Sequence, residues 1–176
     1  VLVDGRPRTV RLSARDVACA LPTLAPTEDR ESDWQMDWDD GVSALGSGNL
    51  RAALKCFHRV VAAVPGEAAP KMASAATAEL MLETEDSLTA ERLRRSCERY
   101  YRTLWHTDHS LVSAAFGLAR QLAACGDRPG AIDVLDQVPV TSRHYGDAQL
   151  TSVLLRVDGR AIAELTTACN RRTFTS

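Results

Sequence analysis

The chain has 176 residues, 45% of them hydrophobic and only 5% aromatic, and a formal charge of −2. That length suits one domain or a short array with an appendage, and few aromatics among much Ala suit packed helices. The near-neutral balance excludes a global electrostatic pull toward nucleic acid or a membrane surface, and the longest apolar run, Val60–Val64, falls far short of a ~20-residue span.

The first residues hold no basic-then-apolar signal design. Val1-Leu2-Val3 and Thr9-Val10-Arg11-Leu12 flank Asp4-Gly5, a dipeptide favoured in tight hairpins. Ser13 and Asp16 form a capping pair for a short helix ending at Leu21, before Pro22. Pro22 and Pro26 open a linker that runs into the acidic stretch Glu28, Asp29, Glu31 and Asp33. Residues 1–31 are therefore set apart from a helical domain over 32–169, with a polar, mobile tail over 170–176.

Helical periodicity predicts Asp33–Ser47 as the first helix, with Trp34, Trp38, Val42 and Leu45 apolar. Asn49 caps a second, Leu50–Val64, stopped by Pro65 and Gly66. The third spans Glu67–Leu82, where Pro70 is tolerable only in the first turn. Thr89 is expected to cap the fourth, Ala90–Trp105. The fifth and sixth meet at Gly126-Asp127, where Gly ends one helix and Asp caps the next, with Pro129 in its first turn. A seventh runs from Ser142 to Val157, and Asp158-Gly159 turns into a last helix through Cys169.

An internal repeat links these helices. Gly41, Gly48, Ala53 and Phe57 are followed at one offset, 78 residues, by Ala119, Gly126, Ala131 and Leu135. Two tetratricopeptide units of ~34 residues make roughly 68, which leaves about ten extra residues between them. The stretch Glu83–Ser87 is the natural place for that excess. The fold class expected is thus all-α: an α-solenoid of antiparallel helix pairs with a short N-terminal hairpin and helix. The first copy departs from the usual pattern where Asp37 and Asp40 stand at the Trp and Leu positions, although Trp34 and Trp38 are close by.

Chemistry-bearing groups are sparse. Five cysteines, Cys19, Cys56, Cys97, Cys125 and Cys169, are odd in number, widely spaced and free of any Cys-x-x-Cys, which points to reduced thiols in a cytoplasmic compartment. His106 and His109 flank Asp108 with no third ligand at matching spacing, so they read as helix-junction groups rather than a metal site. Arg92, Arg94, Arg95, Arg99 and Arg102 form a basic helix edge, read as a solvated face, since stacking aromatics are not interleaved. The acidic run Glu28–Asp40 either docks on that edge or keeps the linker solvated.

In helix pairs of this type the first helix lines the groove. The lining positions are Gln35, Trp38, Val42 and Leu45, then Ser113, Phe116, Arg120 and Ala123. Arg120 is the single strong anion donor, so an apolar groove that takes a helix, a neighbouring domain or a second subunit is favoured over a carboxylate clamp. The interaction surface expected comprises Gln35, Trp38, Val42, Phe116 and Arg120. For Trp38 and Phe116, plain inter-helix core is the competing reading.

Four runs carry a resemblance. Residues 65–80 (Pro-Gly-Glu-Ala-Ala-Pro-Lys-Met-Ala-Ser-Ala-Ala-Thr-Ala-Glu-Leu), 100–108 (Tyr-Tyr-Arg-Thr-Leu-Trp-His-Thr-Asp), 113–120 (Ser-Ala-Ala-Phe-Gly-Leu-Ala-Arg) and 138–145 (Val-Pro-Val-Thr-Ser-Arg-His-Tyr) resemble the tetratricopeptide region of the PknG family of bacterial serine/threonine kinases. Residues 1–29 resemble the segment that joins this family's kinase domain to its repeats, although additional helical sequence found in the family between Asp29 and Asp33 is absent. The resemblance implies a parent kinase that uses ATP and Mg, with repeats that support dimerisation and pack on the kinase domain. Partners implied are that kinase domain, a second subunit in a homodimer, or a protein regulator or substrate. No nucleic acid and no membrane span enter this reading. The sequence holds no glycine-rich phosphate loop, no catalytic-loop Asp with Asn and no Asp-Phe-Gly, so no catalytic, cofactor or metal residue is assigned within it. The alternative is a free-standing adaptor that recruits a peptide or helix of a partner protein.

Overall fold

A computed structural model of the chain describes residues 33–82 and 86–157, together with 2–3, 6–7, 14 and 21. Strand β1 (Leu2–Val3) pairs antiparallel with β2 (Arg6–Pro7), Leu2 opposite Pro7 and Val3 opposite Arg6. The pairing therefore begins directly across Asp4-Gly5, while Thr9–Leu12 lie outside the described residues. The expected helix to Leu21, the linker, the helix through Cys169 and the polar tail lie outside the described residues.

Six helices follow: α1 (Asp33–Gly46), α2 (Leu50–Ala63), α3 (Ala68–Met81), α4 (Ser87–Thr107), α5 (Val112–Ala124) and α6 (Arg128–Asp136). Residues 145–157 are helical as well and are called α7. The chain divides into two compact units, residues 1–100 and 101–176.

In the first unit α1 packs on α2, and α2 on α3. Trp38, Leu45, Ala53, Phe57, Val60 and Ala73 form its core, with Trp34, Val42 and Leu80 half-buried against them. The Trp38 and Phe57 rings meet at 5.5 Å in a tilted pair. Pro70 sits in the first turn of α3, as its missing N–H requires.

The second unit holds α5, α6 and α7. Ala114, Ala115, Leu118 and Leu122 from α5 are buried with Val134 and Leu135 from α6. Asp136, at the end of α6, accepts a 2.7 Å hydrogen bond from the Ser152 hydroxyl and an ion pair from Arg156. Those two bonds tie α7 to α6.

The offset of 78 reappears as backbone geometry. Gly48 has φ +82° and Gly126 φ +87°, the left-handed conformation that glycine adopts without penalty. Asn49 N–H bonds Ala44 O at 2.8 Å and Gly48 N–H bonds Leu45 O; 78 residues on, Asp127 N–H bonds Leu122 O at 2.9 Å and Gly126 N–H bonds Ala123 O. Both helix ends are closed by the same glycine-centred motif. The residue after each glycine then caps the next helix, the Asn49 side chain accepting from Ala52 N–H and Asp127 from Gly130 N–H.

A third copy sits between them. Ala75 stands 34 residues after Gly41, while Cys97 and Tyr101 stand 44 after Ala53 and Phe57. All three are buried, and the Cys97 thiol donates to Ala75 O at 3.2 Å. The ten extra residues fall between α3 and α4, and most of them lengthen the N-terminal end of α4.

Two helix starts fall three residues from the sequence reading. Helix α4 starts at Ser87, capped by Asp86 and not by Thr89. The Asp86 carboxylate accepts from the N–H groups of Leu88 and Thr89 and from the Thr89 hydroxyl, so it satisfies more of the orphan donors than Thr89 can. Helix α7 starts at 145, because Ser142 spends its side chain and carbonyl on the preceding turn, accepting from His144 N–H and Tyr145 N–H.

Candidate functional site

The expected groove residues divide between the two units. In the first, Trp38 is only 4% exposed and belongs to the core, as does Leu45; Gln35 and Val42 are half-buried. In the second, Phe116 and Ala123 are half-buried, whereas Ser113 and Arg120 are exposed. Of the aromatic candidates, Phe116 offers the more accessible ring.

Small residues let neighbouring helices close on large rings. A Cβ on Gly117 would fall 2.5 Å from the Tyr101 ring, and one on Gly41 would fall 2.6 Å from Phe57. These contacts are packing devices, and they leave no room for a ligand beneath either ring.

Two other surfaces hold more chemistry. An open depression of about 540 Å³ on the outer face of α2 is lined by Arg51, Leu54, Lys55, His58, Arg59 and Ala62, with Met81 from α3. No carboxylate lines it. Its rim is basic and its floor aliphatic. Arg59 reaches over to pair with Asp37 of α1, and this guanidinium, by its hydrogen bond first and its charge second, holds the Asp37 carboxyl below the usual carboxylate range. The His58 ring lies 6.2 Å from Tyr100, over which the Arg99 guanidinium sits at 5.4 Å. Loss of solvent and then the Arg99 charge push the His58 imidazole below its ordinary value.

The second surface is on α7. Ala148 and Ser152 are buried on one side of this helix, while Leu150, Val153, Leu154 and Val157, spaced three and four apart, are 41–60% exposed on the other. Its sequence signal was an apolar stripe at helical spacing, legible in Leu150 to Val157 once Ala148 is taken as the inward residue.

The basic edge of α4 is partly neutralised within its own helix, Arg94 and Arg95 both pairing with Glu91. His109 stacks edge-on against Trp105 at 4.4 Å, and His106 is exposed on α4. The Ser110 hydroxyl, and after it the Ser110 N–H from which Asp108 accepts, lower the Asp108 pKa. Among the described residues no group of three His, Cys, Asp or Glu side chains converges on a metal position. Cys56 and Cys97 are buried free thiols and Cys125 is an exposed one. Among the described residues no helix is long and apolar enough to cross a membrane.

Comparison with known proteins adds the following. The family model described as "Protein kinase G tetratricopeptide repeat" matches residues 9–173. The chain is 44% identical over 156 residues to a serine/threonine-protein kinase PknG of Mycobacterium leprae (strain TN), an alignment covering 88% of this chain and 19% of that protein. It is 42% identical over 133 residues to the serine/threonine-protein kinase PknG of Mycolicibacterium smegmatis (strain ATCC 700084 / mc(2)155), covering 76% of this chain and 16% of that one. The chain thus spans less than a fifth of the length of these relatives.

Proposed function

The chain belongs to the protein kinase G tetratricopeptide repeat family, and from that premise we propose that it is the non-catalytic, protein-binding module of a PknG-like serine/threonine kinase. In this reading phosphoryl transfer, with its ATP and Mg²⁺, is the work of a kinase portion such as the longer relatives possess. The 176 residues contain none of the motifs that such chemistry needs. Reduced, buried thiols at Cys56 and Cys97 accord with a cytoplasmic setting.

One observation carries the protein-binding role: the exposed stripe Leu150, Val153, Leu154 and Val157 on α7. An apolar face of this kind on a helix is stabilised by covering it with another helix or a groove, at ~25 cal/mol for each Å² of apolar surface removed from water. We assign it to self-association, the dimer-forming role expected of these repeats. Gln35 and Val42 in the first unit, and separately Phe116 and Arg120 in the second, are proposed as contact positions for the kinase portion.

Light scattering on the purified chain over a range of concentrations tests this. The mass should rise toward two chains, and Leu150→Glu with Leu154→Glu should return it to one. A mass that stays at one chain throughout would contradict the self-association, and an association unaffected by the double substitution would remove the stripe from it.

A further inference from the structure

We propose that the depression on the outer face of α2 is a docking site for an acidic peptide segment of a partner protein. Its carboxylates would meet the basic rim, and an aliphatic side chain between them would rest on the floor. This goes beyond the self-association assigned to α7, lies wholly in the other compact unit, and neither depends on that role nor supports it.

The charge pattern is the first argument. Arg51, Lys55, His58 and Arg59 follow one another at helical spacing along one face of α2, and the depression has no acidic lining residue. In a chain of net charge −2 this concentration is not a by-product of general basicity. Arg99, from α4, adds to it, since its charge acts on the His58 ring. Basic side chains of two helices therefore act at this depression, Arg59 being shared with Asp37, which favours an anionic partner and speeds its encounter.

The floor narrows the partner. Leu54, Ala62 and Met81 present aliphatic and thioether surface, which a free inorganic anion cannot use. A nucleic-acid strand would want aromatic faces on which to stack its bases, and no aromatic carbocycle lines the depression. A peptide that alternates carboxylates with aliphatic side chains uses both parts. At about 540 Å³ the space suits a short segment and not a folded domain. The Asp37–Arg59 pair at the rim already shows how a carboxylate meets this row of cations.

Fluorescence anisotropy with a labelled Glu/Leu peptide, a Lys/Leu peptide of equal length and a single-stranded oligonucleotide tests the proposal on the full chain. The acidic peptide should bind, weaken as salt rises, and lose at least tenfold in affinity on Arg51→Glu with Lys55→Glu. Arg95→Glu, on the exposed edge of α4, should change little. An independent readout needs no variant: the His58 ring resonances should titrate at higher pH with the acidic peptide bound, because a nearby carboxylate favours the imidazolium. Binding no stronger than that of the Lys/Leu peptide, an unmoved His58 titration, or tighter binding of the oligonucleotide would each overturn the proposal.

Discussion

The α-carbon of Gly41 lies so close to the ring of Phe57 that a methyl group in place of its hydrogen would sit 2.6 Å from Cε1. Phe57 is fully buried, so its ring has nowhere to retreat. An Ala at Gly41 would gain up to about 1 kcal/mol in helix propensity and lose about 1–3 kcal/mol to overpacking. The clash should win. We expect Gly41→Ala to lower the stability of the first unit in urea unfolding, whereas Gly46→Ala, with open space around its new methyl, should leave it unchanged or raise it.

Gly48 and Gly126 occupy the same place in two copies of one turn. Both hold left-handed backbone with open space around the α-carbon, so a side chain there meets strain and not a clash. Ala should cost about 1–2 kcal/mol at either site. Asn, which tolerates this conformation better, should cost less. Chemical denaturation of the four variants checks whether the two positions respond alike.

The cap of α4 should follow the carboxylate. Asp86→Ala removes three hydrogen bonds at the helix start, whereas Thr89→Ala removes one. The Asp86 variant should melt at lower temperature and the Thr89 variant less so. Equal effects would mean that the carboxylate is not the cap.

Acid should weaken the link between α1 and α2. The Asp37 carboxyl is held below its ordinary pKa by Arg59, so its contribution is present above the unfolded-state value and is lost as pH falls through the depressed one. Both partners are partly solvent-exposed, so the contribution is modest and screened by salt. Asp37→Asn should be slightly less stable near neutrality, and its stability should fall less than the parent's between about pH 4 and lower values. A parallel pH profile for both proteins would contradict the pairing.

How much of this was legible in the sequence depends on which force set each feature. Gly48 and Gly126 were readable because a helix end in left-handed backbone requires Gly, and the residue after it must cap the next helix. The middle copy was hidden, since Cys97 and Tyr101 replace Ala and Phe and its spacing splits into unequal parts. Asp86 was passed over because capping is chosen by backbone geometry, and the sequence places several candidates side by side. Trp38 reads equally as a groove or a core residue until Phe57 is known to cover it. The basic depression forms where Met81 of α3 meets α2, a juxtaposition that spacing along α2 does not show, so its row on α2 was overshadowed by the longer arginine edge of α4. That edge is partly neutralised by Glu91, a pairing that the i, i+3 and i, i+4 spacings already allowed.

The proposed role leaves these 176 residues without phosphotransferase chemistry of their own. Incubating the purified chain with ATP, Mg²⁺ and a serine-rich acceptor protein, then weighing both proteins by intact mass spectrometry, tests it most directly. Chain and acceptor should both keep their masses. A phosphate mass on either one, under conditions where a contaminating kinase is excluded by a mock purification, would contradict it.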